Sequence, residues 1–432
     1  FMREHLRRTL TIFEIIFFSV SIIVGAGIYS VIGKAAGFAG NGVWLSVVLA
    51  GIITILTGIS FAEMSSMFPK TTGYYMLLRE AFREFEGRVW GFAVEWMMIA
   101  ASVFAIATIS IAFAEYLSDV FSLNTVLVSI LLIIISAFIS YIGIKESVTI
   151  ALLMSLVEIM GLLVVIFLGV FFTKTDYSKL TDFNSFKGIF LGASLIFFAY
   201  TGFELIPAQT EETKSSRKNV PKAIVASICI SMLIYVLVSI SITNMVDPTT
   251  LGTSHAPLAD ILKEKFGGLP VTVVWIAALF ATASTVLGVM ITSSRLIYGL
   301  AREKMLPFFL SSVEHRYKTP YIAILITTIS SSVIVFLMAD LTRAAEVANL
   351  MNLITFMLVN VSIVILRFYK PNIEKDFKVP FAIKNIPILP IIATVLIGFI
   401  IYQFTPRTWL YGATIILIGT FVYGLVKNHI IE

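Results

Sequence analysis

The sequence has one cysteine and four histidines in 432 residues, and that scarcity removes whole classes of chemistry. Cys229 falls in an apolar run, so neither a disulfide framework nor a thiolate metal cluster can be assembled. His5, His255, His315 and His429 fall at the termini or in predicted loops, which takes away the usual metal ligands and proton shuttles of a membrane interior. No metal, haem or other cofactor is expected, and no enzyme of the Ser-His-Asp kind. There is no G-x-x-x-x-G-K-[ST] run, so ATP hydrolysis is not expected. Phe1 ahead of Met2 reads as a tag remnant and is set aside. No stretch reads as a cleavable signal peptide, because the first apolar segment is followed by further spans.

Charge is scarce as well, at 13% of residues, while 58% are hydrophobic and the mean hydropathy is +0.96. Those values lie far outside the soluble globular range and identify an integral membrane protein in contact with a lipid bilayer. Counting apolar runs that can cross ~30 Å of hydrocarbon gives twelve candidate spans. They are 11–32, 43–64, 90–120, 125–142, 147–172, 188–208, 223–245, 271–300, 321–338, 345–366, 388–402 and 409–425.

An even number of spans puts both termini on one side. The clusters around Arg7, Arg79, Lys218, Arg302 and Lys375 fall on that side, and only Lys34, Lys174, Lys179, Lys187, Lys263, Lys265, Arg343 and Arg407 fall opposite. The asymmetry predicts cytoplasmic termini. The net charge of +5 is therefore a topology signal and gives no reason to expect nucleic acid as a partner.

Two spans carry a glycine where a helix should continue. In the first, Gly25 and Gly27 sit in the middle of an apolar run, and a helix that stops there leaves peptide groups unpaired. Hydrocarbon penalises each such group by several kcal/mol, on the order of, so the break must line a cavity. The amides of Gly25, Ala26 and Gly27 would then face an anionic group and the carbonyls before them a cationic one. Close helix packing through small residues is the plain alternative for one such pair. The sixth span repeats the feature in FFAYTGFE at 197–204, where Gly202 interrupts the run and Glu204 follows. It lies five spans later and so crosses in the opposite sense, as an inverted repeat of five plus five spans requires.

At this point a family resemblance becomes visible. GAGIY at 25–29 is similar to the G-[SA]-G-I-[FY] element of the amino acid, polyamine and organocation permeases. FAEMSSMFPKTTGY at 61–74 resembles their loop after span 2, with Thr72 where many relatives carry glycine. The stretch from Phe197 through EETKSSRKNVPKAI at 211–224 resembles span 6 and its following loop, with Ser216 where proline is usual. RLIYGLAREKMLP at 295–307, with LRFYKP at 366–371 and FKVP at 377–380, completes a match over nearly the whole chain.

The resemblance implies an all-α membrane protein of twelve transmembrane helices. Its core would be the LeuT-like five-plus-five inverted repeat shared with sodium-coupled neurotransmitter symporters, with discontinuous helices 1 and 6 and two extra C-terminal helices. Residues 1–172 and 173–366 would be the two halves, and 367–432 the added pair and a short tail.

It also assigns roles. A substrate carboxylate goes to the backbone of Gly25, Ala26 and Gly27, and an ammonium to carbonyls near Ile23 and near Phe198, Ala199 and Thr201. Phe198 stands where arginine/agmatine antiporters carry an aromatic lid, and Glu204 where they carry an acid used in gating and pH sensing. Ser284 and Thr285 resemble the symporters' cation site. Ala101, Ser102, Ala283 and Asn349 are positional choices for the side-chain pocket, and their small or neutral character leans toward neutral substrates.

Glu158 departs from the family. It lies about 16 Å into its span at ~1.5 Å per residue, close to the midplane, where many proton-coupled relatives carry a lysine. A carboxylate there must face protein or water. It would bind Na⁺, carry H⁺ as the coupling group, or only pack against a serine. Glu14, Glu63, Glu95 and Glu115 are placed near the interfaces, reaching water. Arg295 is placed at an inner gate, and the loops beside Arg217 and Lys375 are read as ordinary basic surface.

The expected function is secondary active transport of amino acids by alternating access in the cytoplasmic membrane, coupled to H⁺ or working by exchange. The alternatives are a polyamine or amine antiporter and a Na⁺-coupled symporter. A non-transporting sensor or subunit would have lost the helix-breaking glycines. Cys229 inside a span offers no thiol to a disulfide-linked partner.

Overall fold

The structure is a computed structural model that describes residues 8–173, 178, 180, 185–247, 251–252, 254, 256–338, 341–402 and 404–430. Of the residues used above, Phe1, Met2, His5, Arg7, Lys174, Lys179 and His255 lie outside the described residues.

Thr11 opens the first helix, α1 (Ile12–Val24), with a reciprocal cap. Its Oγ1 accepts from the Glu14 amide, and the Glu14 carboxylate accepts from the Thr11 amide at 2.8 Å. A single residue, Gly25, separates α1 from α2 (Ala26–Ala39). There follow α3 (Val43–Met67), α4 (Gly73–Ala81), α5 (Gly87–Phe121), α6 (Thr125–Tyr141) and α7 (Ile144–Phe171). Next, α8 (Phe186–Tyr200) gives way to a 3-10 stretch, Phe203–Glu212, before α9 (Ser216–Met245). The rest is α10 (Pro257–Lys265), α11 (Gly268–Arg302), α12 (Tyr321–Met338), α13 (Leu341–Tyr369), α14 (Ile388–Ile401) and α15 (Pro406–Ile430). Strand is confined, among the described residues, to the hairpin Ala382–Ile383 with Ile386–Pro387 and the isolated bridge between Leu10 and Thr213.

Nine helical stretches among the described residues are long and apolar enough to cross a bilayer, and the first, Ile12–Met67, takes in α1, α2 and α3. Two more apolar helices, α6 and α14, have 17 and 14 residues. The outer faces carry what lipid wants. Leu131, Ile134, Ile135 and Phe138 on α6, and Leu153, Leu156, Met160, Leu163 and Phe167 on α7, are exposed at helical spacing. Such stripes would be costly against water. The chain is thus an all-α, multi-pass membrane protein. Most helices overrun their apolar segments by a few residues, because backbone bonding continues where the side chains have already turned polar. Helices α4 and α10 are additions to the predicted set, each nine residues long.

The broken elements are the most enclosed. From Ile15 to Val24, α1 is buried apart from the partly exposed Ile16 and the exposed Phe17, and the stretch Phe203–Glu212 is buried apart from Glu211. α2 packs on α8, α1 packs on α9 and α7, and α11 leans on α5 and α7. α11 is almost wholly buried from Ala281 to Ala301, which makes it the central post beside both breaks.

Two expectations about charge are corrected. Glu63 and Glu95 do not reach water: both are fully buried. Glu63 accepts from Arg367 at 2.9 and 2.5 Å and from the Val379 amide at 2.7 Å, and it pairs with Lys375 at 3.3 Å. Lys375 is therefore no ordinary surface charge. It helps to fasten the 370–387 loop onto the end of α3, where Ser66 Oγ also accepts from the amides of Asp376 and Phe377. Glu95 Oε2 accepts from the Tyr75 amide in the first turn of α4 at 3.1 Å.

Candidate functional site

The two breaks meet. Gly25 has φ −47° and ψ −138° and caps both α1 and α2, while Gly202, at φ +125°, takes a conformation that side chains rarely adopt. A Cβ on Gly25 would overlap Thr285 Oγ1, and one on Gly27 would come within 2.5 Å of the Ala199 Cα. Glycine is therefore required by space at the first break and by conformation at the second.

The freed peptide groups have partners that the sequence reading did not anticipate. The Ala26 amide, first in α2, donates to Thr285 Oγ1 of α11 at 3.3 Å. The Tyr235 hydroxyl of α9 reaches the Ile23 carbonyl at 2.5 Å and the Ala199 carbonyl at 3.0 Å, bridging the ends of α1 and α8. The Phe198 carbonyl accepts from the Thr201 amide at 3.1 Å and hydroxyl at 2.7 Å. Glu204 closes the second break on itself. Its Oε2 accepts from the Gly202 amide at 2.6 Å, its Oε1 from Asn352 Nδ2 of α13 at 3.2 Å, and its carbonyl from the Tyr74 hydroxyl.

A cavity of about 40 Å³ lies beside the breaks. Its polar wall is Ser102, Thr201, Glu204, Thr285 and Asn352. Ile22, Ala101, Ala105, Ile109, Leu205, Val289 and Ala348 supply most of the apolar wall, with Phe198 and Gly202 at the second break. The space is enough for a few waters and well short of the ~300 Å³ at which ligand pockets begin. Of the predicted site residues, Ala101, Ser102, Phe198, Thr201, Glu204 and Thr285 line it. Ile23, Gly25, Ala26, Gly27 and Ala199 form the break behind it. Ala283 and Asn349 are not in its wall; Ala283 is partly exposed, and Asn349 is buried with an unpartnered Oδ1.

Glu158 and Ser284 form a separate locus between α7 and α11. Ser284 Oγ lies 2.9 Å from Glu158 Oε2 and 3.0 Å from the Ala281 carbonyl, and its single proton serves one of them at a time. Glu158 Oε1 is buried with no hydrogen-bond partner among the described residues. The Tyr29 hydroxyl of α2 donates to the Glu158 carbonyl at 2.5 Å, tying this locus to the first break. Among the described residues no group of three or more His, Cys, Asp or Glu side chains could hold a metal. Cys229 is exposed on α9.

Tyr235 and Asn352 are the site residues that sequence reasoning missed. The signal available was weak: a tyrosine in the middle of an apolar span, and an asparagine three residues beyond Asn349.

Comparison with known proteins gives one consistent answer. The sequence profile of a family described as amino acid permease matches residues 10–422. The chain is 26% identical to the methylthioribose transporter of Bacillus subtilis, over 98% of this chain and 94% of that one. It is 24% identical to the branched-chain amino acid permease BcaP of the same organism, over the same shares. Against the branched-chain amino acid permease BcaP of Lactococcus lactis subsp. cremoris it is 27% identical, over 99% of this chain and 96% of that one. These relatives are permeases and transporters, not enzymes.

Proposed function

The chain belongs to the amino acid permease family, and from that premise we propose that it is a secondary active transporter of neutral amino acids, working by alternating access around the paired helix breaks. The observation that carries the reading is the meeting of two interrupted helices beside a cavity, with helix-end amides and carbonyls, held here by side chains such as Thr285 and Tyr235, that suit a zwitterion. A carboxylate goes to the amide end of α2, and an ammonium to the Ile23 and Ala199 carbonyls now bridged by Tyr235. The apolar wall of Ile22, Ala101, Ala105, Ile109 and Val289 favours an aliphatic side chain, and two of the relatives are named for branched-chain amino acids.

Twelve spans follow from counting Ile12–Met67 as two crossings, the remaining eight long stretches as one each, and α6 and α14 as two more. This arithmetic supports the five-plus-five inverted repeat with halves 1–172 and 173–366 and an added pair in 367–432. An even count puts both termini on one side, and the Lys/Arg asymmetry supports the cytoplasmic side of the cell membrane. Glu158 is the coupling group in this reading, and the orphaned Oε1 is the place for a proton.

Reconstitution into liposomes tests both parts. Counterflow with a panel of amino acids should show trans-stimulation by Leu, Ile and Val; a flat response to the whole panel defeats the substrate assignment. In Glu158→Gln, accumulation of substrate driven by an imposed pH gradient should be lost while exchange survives. Dependence on Na⁺ alone in the unaltered protein would move the coupling to that ion, and an unchanged pH response would remove Glu158 from it.

A further inference from the structure

Asn352 lines the cavity, is 7% exposed, and has an Oδ1 with no hydrogen-bond partner among the described residues. Its other end is committed. An ionised carboxylate only accepts hydrogen bonds, so the side-chain NH₂ must face Glu204 Oε1, as it does at 3.2 Å, and the carbonyl end must face away.

Now let Glu204 take a proton. Oε2 already accepts from the Gly202 N–H at 2.6 Å, so the proton belongs on Oε1. The new hydroxyl needs an acceptor, and a half-turn of the Asn352 carboxamide about its last torsion supplies Oδ1. The same half-turn carries the NH₂ to the opposite side. We infer that Asn352 reads the protonation state of Glu204 and inverts the hydrogen-bonding polarity of the cavity wall. With Glu204 ionised the wall offers an acceptor, which suits the third N–H of an ammonium whose other two take the Ile23 and Ala199 carbonyls. With Glu204 protonated it offers a donor, which opposes that same group. Protonation of Glu204 thereby weakens substrate binding without direct contact between the two, apart from the gradient coupling given to Glu158. The inference rests on the proposed transport of amino acids.

The surroundings of Glu204 leave this exchange to Asn352. Tyr74 donates to the Glu204 carbonyl and not to its carboxylate. Glu95 is engaged by the Tyr75 amide, Glu212 by Arg295, Glu63 by Arg367 and Lys375, and Glu346 of α13 by Thr408. The Tyr235 hydroxyl is turned to the two break carbonyls. Glu14, Lys218 and Lys222 stand in the opening turns of α1 and α9, away from the break. No ion pair to Glu204 is formed among the described residues.

Two measurements on the purified, reconstituted protein test this. Infrared difference spectra across a pH step contain a protonated-carboxyl band, assigned to Glu204 by its loss in Glu204→Gln. That band should move in both Asn352→Leu and Asn352→Ser, because the new hydroxyl loses its amide acceptor. Equilibrium binding of leucine should weaken about tenfold or more as Glu204 protonates, the range for losing a hydrogen bond to a charged group. In Asn352→Leu that pH dependence should flatten to within about twofold. An unmoved band, or a moved band with the pH profile of binding intact, overturns the inference. A moved band in a protein that binds no amino acid at any pH defeats the transport reading and leaves the coupling of Asn352 to Glu204 standing.

Discussion

Tyr235 has one hydroxyl proton and two carbonyls within reach, at 2.5 and 3.0 Å, at the ends of α1 and α8. It therefore stands in for the cation that the proposed site would hold. Removing the hydroxyl by Tyr235→Phe leaves two buried carbonyls underserved and should lower the stability of the substrate-free protein by about 1–3 kcal/mol. A bound ammonium would restore their partner, so the thermal shift on adding saturating leucine should be larger in the variant than in the parent. Equal shifts would mean that substrate and tyrosine do not share those carbonyls. The residues at the breaks were readable because glycine in an apolar run has a cost that only function or close packing offsets. Tyr235 and Asn352 were not, since nothing in a hydrophobic run tells which way a polar side chain points until the helix is rotated against its neighbours. Glu63 was misread for a related reason: its partner Arg367 lies 304 residues away.

Helix α4 shows what an element too short to span can do. Its Tyr74, Tyr75, Leu77 and Leu78 are buried, while the polar side holds Glu80, which accepts from Lys370 Nζ just beyond α13 at 2.5 Å. The Lys370 ammonium holds the Glu80 carboxyl below its ordinary 4.5. A depressed carboxyl stabilises the folded state above the unfolded value and loses that contribution as pH falls through the folded one. The fastening of α4 to the end of α13 should thus be intact at neutral pH and weaken below 4.5. Hydrogen exchange of the 73–81 amides should rise there relative to those of α11, and Glu80→Gln should show the higher exchange at every pH. Equal protection in both proteins at neutral pH would leave the pair without a mechanical role. The spans were legible from hydropathy alone, but α4 and α10 were not, because nine residues of mixed character fall below the length at which an apolar run stands out.

Beyond the end of the second break, several ties among the described residues gather at one place. The amides of Thr9 and Leu10 donate to the Glu212 carbonyl at 3.0 Å, and the Lys214 amide returns a bond to Leu10 at 2.9 Å, joining the start of α1 to the end of the second break. Glu212 pairs with Arg295 at 3.1 Å, both fully enclosed, so the sequence-based placing of Arg295 near a gate finds its partner here. Beside them Glu211 accepts from Arg302 at 2.8 Å and from the Thr71 amide at 3.3 Å. A cavity of about 40 Å³ holds no amino acid, so in the proposed cycle the site must enlarge, and these ties are the candidates for parting. They differ in what they can reveal. Breaking the enclosed Arg295 pair would strand a buried charge at about 3–5 kcal/mol and threaten the fold itself. The partly exposed Arg302 pair is worth about 0.2–1 kcal/mol, enough to shift a conformational balance without unfolding anything. In a Cys229→Ser background with Ser102→Cys as a reporter in the cavity wall, Arg302→Gln should speed labelling by a thiol reagent applied from the Arg302 face. A gain of up to about fivefold corresponds to that energy. Saturating leucine should alter the rate in both proteins, and a rate indifferent to Arg302 would show that this pair does not hold the closure.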